Sequence, residues 1–111
     1  MSTVIDSSHA AQFLDDLLRR NSTVLISATY CQFSTQIKKL LIELKRRFVS
    51  VEIDLVPNGL QIFREVVALT GVHTVPQLFV QGKYLGGYDD IVALYRKDAL
   101  SSALGKRSLA R

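Results

Sequence analysis

Cys31 is the only cysteine in the 111-residue chain. Its neighbours decide what a lone thiol can do. It sits in the run Ser27-Ala28-Thr29-Tyr30-Cys31-Gln32-Phe33-Ser34, after an apolar stretch at residues 24–26 and before a helical pattern at residues 37–48. At a strand-to-helix turn, unpaired backbone N–H groups point outward and the helix dipole is positive, so a thiolate is favoured there. A thiolate can attack a disulfide or, beside an imidazole, an acyl carbon. Ser34 cannot attack a disulfide, but its hydroxyl can donate a hydrogen bond to the Cys31 sulfur. His73 precedes a second notable stretch, Thr74-Val75-Pro76, which opens another apolar run. Nothing orients the His73 imidazole, so a protease-like pair is the weaker reading. Most free cysteines are buried small hydrophobes; the polar flanks Tyr30 and Gln32 argue against that here.

The elements around these residues follow from periodicity. Ser7 or Ser8 can cap a first helix with Phe13, Leu14, Leu17 and Leu18 on its apolar face, and Asn21 is its stop. Residues 23–27 read as a buried strand. A second helix runs from Cys31 to about Phe48, with Ile37, Leu40, Leu41, Leu44 and Phe48 at helical spacing. Alternation predicts a strand over 51–55. Pro57-Asn58-Gly59 is a loop, and residues 60–69 form a third helix with Gly71 as its C-cap. Residues 77–80 and 83–85 form a hairpin about Gln81-Gly82. Asp89 and Asp90 suit the first turn of a last helix that carries Ile91, Leu94 and Tyr95 inward. The N-terminus and the basic tail from Gly105 are expected to fray. The order is helix, βαβ, helix, β-hairpin, helix. It predicts one α/β domain over residues 1–111, with a four-stranded mixed sheet flanked by helices on both faces.

Composition narrows the classes. A hydrophobic share of 48% with 22% charged residues suits a globular chain with a modest core. No apolar run approaches the roughly 20 residues that span a bilayer, so no membrane role is expected. The net charge of +4 comes largely from Lys38, Lys39, Lys45, Arg46 and Arg47 on one helix face and from the C-terminal tail. No nucleic-acid motif accompanies it, so no nucleic-acid partner is expected. One cysteine cannot form an internal disulfide, and residues 1–10 do not read as a secretory signal. The expected location is a reducing compartment, the cytoplasm, with the mitochondrion left open.

Three blocks stand on this element order: Tyr30-Cys31-Gln32-Phe33-Ser34, then Thr70-Gly71-Val72-His73-Thr74-Val75-Pro76, then Gly86-Gly87-Tyr88-Asp89-Asp90. Together they resemble the glutaredoxin family and its thioredoxin-like fold, over about residues 23–104. The resemblance implies that Cys31 is the catalytic thiol. It also implies that Tyr30, Phe33, Thr74, Val75, Pro76, Gly87, Tyr88, Asp89 and Asp90 bind glutathione. On that reading Pro76 is cis and leaves the Val75 backbone free to pair with a peptide-like ligand. The N–H groups of the last helix then receive the γ-glutamyl carboxylate and an aspartate receives its ammonium. Read without the resemblance, Pro76 is an ordinary trans proline at a strand start, and Asp89-Asp90 are first-turn acids.

The chain also departs from the family pattern. Ser34 stands where dithiol glutaredoxins carry a second cysteine. Gln32 replaces both the glycine of the monothiol Cys-Gly-Phe-Ser form and the proline of the dithiol form. The body lacks the five-residue insertion of the cluster-handling group and so looks like the dithiol group. Ala28 replaces a lysine that helps bind the glycine carboxylate of glutathione, and Phe63 replaces a glutamine that often does the same. Arg64 and His73 are the candidate substitutes.

The first expected function is a glutathione-dependent thiol-disulfide oxidoreductase. It would act by a monothiol mechanism on glutathionylated proteins or small mixed disulfides, as a monomer. The second is a [2Fe–2S] carrier, in which a dimer shares a cluster held by Cys31 of each subunit and two glutathiones. The third is a redox-silent binding module.

Overall fold

Strand β1 (Thr23–Ser27) is buried along its whole length and divides the core in two. Its side chains alternate, as a pleated strand requires. Val24 and Ile26 join Leu14, Leu18, Val51, Val66 and Phe79 on one face. Leu25 joins Ile37, Leu41, Leu78, Ile91, Leu100 and Leu104 on the other. The computed structural model describes residues 7–105, with side chains from His9 onward. The expected capping by Ser7 or Ser8 rests on side chains outside that description, and the fraying N-terminus and the basic tail beyond Gly105 lie outside the described residues.

The elements in order are α1 (Ser7–Arg20), β1, α2 (Gln32–Glu43), β2 (Val49–Glu52), α3 (Gly59–Thr70), β3 (Gln77–Val80), β4 (Lys83–Gly86), α4 (Tyr88–Arg96) and α5 (Leu100–Ala103). The sheet order is β2-β1-β3-β4. β1 runs parallel to β2 and antiparallel to β3, and β3 pairs antiparallel with β4. Helices α1 and α3 cover one face; α2, α4 and α5 cover the other. This is the mixed, doubly covered, thioredoxin-like sheet expected from the element order.

The register puts the site at one end of the central strands. Ile26, near the end of β1, lies opposite Gln77, which starts β3. Gly86, the end of β4, lies opposite Leu78. The chain leaving β1 toward Cys31, the segment entering β3 through Pro76, and the start of α4 are thus brought together.

Two boundaries differ from the sequence reading, and one element is added. α2 ends at Glu43 rather than near Phe48. Lys45 takes a left-handed conformation (φ 58°), and its N–H bonds the Ile42 carbonyl while the Arg46 N–H bonds the Leu41 carbonyl. That pairing closes a helix C-terminus, here with lysine in the place glycine usually takes. Phe48 still packs on the core, so apolar spacing outlasted the helix. β2 lies at Val49–Glu52 instead of 51–55, because the Leu55 and Val56 N–H groups turn back to the Glu52 carbonyl. Leu55 is left 69% exposed. Finally, α5 adds a short turn whose Leu100 is buried.

Glu52 ends β2 as a half-buried charge with three partners. Its carboxylate accepts from Ser27 Oγ (2.8 Å) and Ser50 Oγ (2.5 Å) and pairs with Lys38 Nζ (2.6 Å). Burial pushes its pKa up, but Lys38, Ser50 and Ser27 together pull it below the ordinary 4.5. A carboxylate held down in the fold adds stability above its unfolded pKa, and that stability is lost as pH falls through the folded value. Glu52→Gln is therefore expected to cost about 1–2 kcal/mol at neutral pH, between the exposed and buried ion-pair limits. Thermal melts from pH 6 down to pH 3 check this. The gap between the two proteins should shrink toward the acid end; a gap independent of pH would remove the ionic account.

Candidate active site

Cys31 is the N-cap of α2, with an extended backbone (φ −92°, ψ 111°). An N-cap side chain faces the N–H groups two and three residues on, which here belong to Phe33 and Ser34. Burial pushes the Cys31 thiol up from its ordinary 9.0. The Ser34 hydroxyl, the N–H groups of Ser34 and Phe33, and the Lys38 cation pull it down, and the net shift is downward. Ser34 is fully buried. Its hydroxyl has no hydrogen-bond partner among the described residues, so its proton is available to a charged sulfur. Gln32 occupies the first helical position and is exposed. Proline is also favoured there, since the N–H at that position has no intrahelical partner.

The strand-to-helix turn is anchored from the turn that follows β2. Asp54 accepts hydrogen bonds from the Thr29 N–H (2.9 Å) and the Thr29 hydroxyl. Those two bonds, hydroxyl first, hold the Asp54 carboxyl below its ordinary range. The Cys31 N–H closes the turn on the Ala28 carbonyl at 3.0 Å.

A cleft of about 530 Å³ opens beside the thiol. It is lined by Phe33, Val72, Thr74, Val75, Pro76, Tyr84, Gly87, Tyr88, Asp89 and Asp90. Every binding residue expected from the sequence therefore lies on it except Tyr30, which stands 76% exposed. Cys31 sits at its margin, with Sγ 3.9 Å from the Val75 carbonyl. The Val75-Pro76 peptide is cis, as the resemblance implies. The Phe33 and Tyr88 rings meet on the cleft wall, tilted by 51° with centroids 4.7 Å apart, and the Tyr88 hydroxyl donates to Gln36 Oε1 at 2.6 Å.

The far end of the cleft is the start of α4. Gly87 is its N-cap, and the Gly87 N–H donates to Asp90 Oδ2 at 3.1 Å. The first N–H to be satisfied within the helix is that of Ile91, on the Gly87 carbonyl. The N–H groups of Tyr88, Asp89 and Asp90 thus have no partner within the helix and suit an anion. Gly86 is required here, because a Cβ on it would lie 2.5 Å from the Asp90 Cβ.

Other sequence candidates are elsewhere. Ala28 is fully buried, and Phe63 packs against the α1/α3 core. Arg64 and His73 are exposed, and neither lines the cleft; nor does any lysine or arginine among the described residues. The nearby cation that acts on Cys31 is Lys38, itself paired with Glu52. Val72, Tyr84, Asp54 and Gln77 belong to the site or its frame and were not anticipated. Gln77, a polar residue at the head of an apolar run, was the one with a visible signal.

A thioredoxin-like sheet with one activated thiol at a helix start defines a class of thiol proteins. Within that class the glutaredoxin family model matches residues 23–85, and the chain belongs to the glutaredoxin family. It is 34% identical over 99 residues to the rice protein "Monothiol glutaredoxin-S6", covering 89% of this chain and 76% of that one. It is 41% identical over 87 residues to the Arabidopsis thaliana protein "Glutaredoxin-C5, chloroplastic", covering 78% of this chain and 50% of that one. Among solved structures, a buckwheat glutaredoxin–glutathione complex superposes with a TM-score of 0.83 at 33% identity, covering 88% of this chain and 89% of that one.

Proposed function

We propose that this glutaredoxin reduces glutathione mixed disulfides by a monothiol mechanism through Cys31. The observation that carries the reading is an acidified thiol, on the only cysteine of the chain, at the margin of a cleft that ends on an anion-binding helix start. The buckwheat relative's complex with glutathione supports glutathione as the ligand.

Glutathione would lie along the cleft as an extended peptide. Its cysteine would reach the Cys31 sulfur and pair with the Val75 backbone. Its γ-glutamyl carboxylate would take the free N–H groups at the start of α4, and the ammonium would face Asp89 and the remaining oxygen of Asp90. The glycine carboxylate meets no cation among the described residues of this cleft. Affinity is therefore expected to come mainly from the γ-glutamyl end.

The chemistry needs two exchanges. The Cys31 thiolate attacks the glutathione sulfur of R–S–SG. A Cys31–SG bond forms, the S–S bond of the mixed disulfide breaks, and R–S⁻ leaves and takes a proton from water. A second glutathione, as thiolate, then attacks the same glutathione sulfur on the protein. This forms GSSG and returns the Cys31 thiolate. Ser34 donates to the sulfur whenever it is charged. No second protein thiol competes for Cys31. Such a cycle suits a glutathione-rich reducing compartment such as the cytoplasm.

A resident cluster is a poorer match to one chain. It needs four thiolates or equivalents, and this chain supplies one, so a second subunit and two glutathiones would have to complete the set. The test is incubation of the intact protein with a small glutathione mixed disulfide, followed by acid quench and mass spectrometry. Protein carrying one glutathione on Cys31, discharged by added glutathione with release of GSSG, is expected. Absence of both the adduct and turnover would sink the reading, and a coloured dimer that bleaches on glutathione removal would favour cluster carriage.

A further inference from the structure

The wall of the cleft facing Cys31 is an irregular segment, residues 71–76, between α3 and β3. Irregular backbone needs its polar groups satisfied by something other than a helix or sheet. A fully buried side chain supplies this. Gln77 is 0% exposed. Its amide nitrogen donates to the Val72 carbonyl at 2.8 Å and to the Thr74 carbonyl at 2.9 Å. Two carbonyls at one end of the amide identify that end as the NH₂. The other end is then the oxygen, and it needs a donor. The Thr70 hydroxyl provides one at 2.9 Å, and the Thr70 oxygen in turn accepts the Val72 N–H at 3.1 Å.

We infer that Gln77, with Thr70, is a positioning residue for glutathione recognition: it fixes the Val72 and Thr74 carbonyls and so sets the Val75 backbone against Cys31. The inference rests on the function proposed above. Gln77 itself does not line the cleft; it acts through Val72, Thr74 and Val75, which do. Its own backbone is held by β3 opposite Ile26, so the amide is fixed to the sheet and transmits that rigidity to the loop. Neither Cys31 nor α2 takes part in the network. Loss of the network should thus disturb binding before it disturbs thiol reactivity.

Gln77→Glu is the sharpest test, because it keeps the shape and places a carboxylate oxygen against two carbonyls. KM for the mixed disulfide is expected to rise about tenfold with kcat little changed, the pattern of lost binding rather than lost transition-state interaction. The rate of Cys31 alkylation is expected to stay unchanged. Thr70→Val should raise KM in the same direction, and Thr70→Ser, which keeps the hydroxyl, should restore it. A fall in melting temperature with KM unmoved would make the network merely structural and overturn the inference. If Gln77→Glu does not fold, the Thr70 pair decides by the same readout. If the intact protein shows no turnover, the proposed function fails separately. The inference is then judged by the ¹H–¹⁵N signals of Val72, Thr74 and Val75, which must shift in Thr70→Val and return in Thr70→Ser.

Discussion

Cys31→Ser is expected to abolish turnover of a glutathione mixed disulfide, and Ser34→Ala to slow it about tenfold near neutral pH. The first effect follows from the chemistry of exchange, which needs a thiolate and has one source in this chain. A serine hydroxyl at the same N-cap stays protonated at any pH where the protein works. The second follows from the buried Ser34 hydroxyl, which lowers the Cys31 pKa more than any other favourable contact does. A hydrogen bond to a charged group contributes about 1.5–3 kcal/mol, and its loss leaves less thiolate. Alkylation of Cys31 by iodoacetamide as a function of pH checks the mechanism. The midpoint should move to higher pH in Ser34→Ala, with the plateau at alkaline pH kept. A profile that does not move would mean that the helix N–H groups and the Lys38 cation hold the charge without Ser34.

The same acidity has a stability consequence. A thiol whose folded pKa lies below its unfolded value stabilises the fold in its charged form. The reduced protein should therefore gain stability relative to Cys31→Ser as pH rises through the folded pKa, with the full gain present above the ordinary 9.0. Glutathionylation removes the charge and with it the gain. This provides a physical reason for the exchange to run onward.

The element order and the three motif blocks were readable in the chain because each rests on local chemistry. β1 shows as an unbroken apolar run, α3 shows its Gly71 cap at φ 73°, and α4 shows its acidic first turn. What could not be read depends on contacts between segments far apart in sequence. Nothing local says that Lys45 closes α2 in place of a glycine. The alternation of Val51, Ile53 and Leu55 continues past the point where β2 loses its partner. Asp54 reads as the polar half of that alternation, yet its work is to hold Thr29, 25 residues away. Val72 and Tyr84 reach the cleft only because β3 and β4 bring them there. The missing anchors were readable as substitutions, but Ala28 as a fully buried position and Phe63 as a core residue were not.

Gly59→Ala is expected to destabilise the fold more than any other single-methyl change at a described glycine. A Cβ at Gly59 would lie 1.8 Å from the Ile53 carbonyl oxygen and 2.8 Å from its carbon. Those are backbone atoms, and they cannot swing aside as the tip of a long side chain can. The Ile53 N–H is itself bonded to the Ser27 carbonyl at 2.9 Å, and the next residue, Asp54, holds Thr29. Relief of the clash must therefore move either the start of α3 or the frame behind Cys31. Overpacking in a tight site costs about 1–3 kcal/mol and sometimes more, and this contact lies at the upper end. At about 4–8 °C per kcal/mol for a domain of this size, the melting temperature should fall by about 12 °C or more. Gly71→Ala separates sterics from conformation. Gly71 sits at φ +73° with nothing within 4 Å of an added Cβ, so its cost is only the left-handed backbone, about 1–2 kcal/mol. Gly59→Ala should also slow Cys31 alkylation or shift its pH profile through Asp54 and Thr29, whereas Gly71→Ala should not. Equal melting temperatures for the two variants would show that the β2–α3 connection yields, and the link from Gly59 to the thiol would then be lost with it.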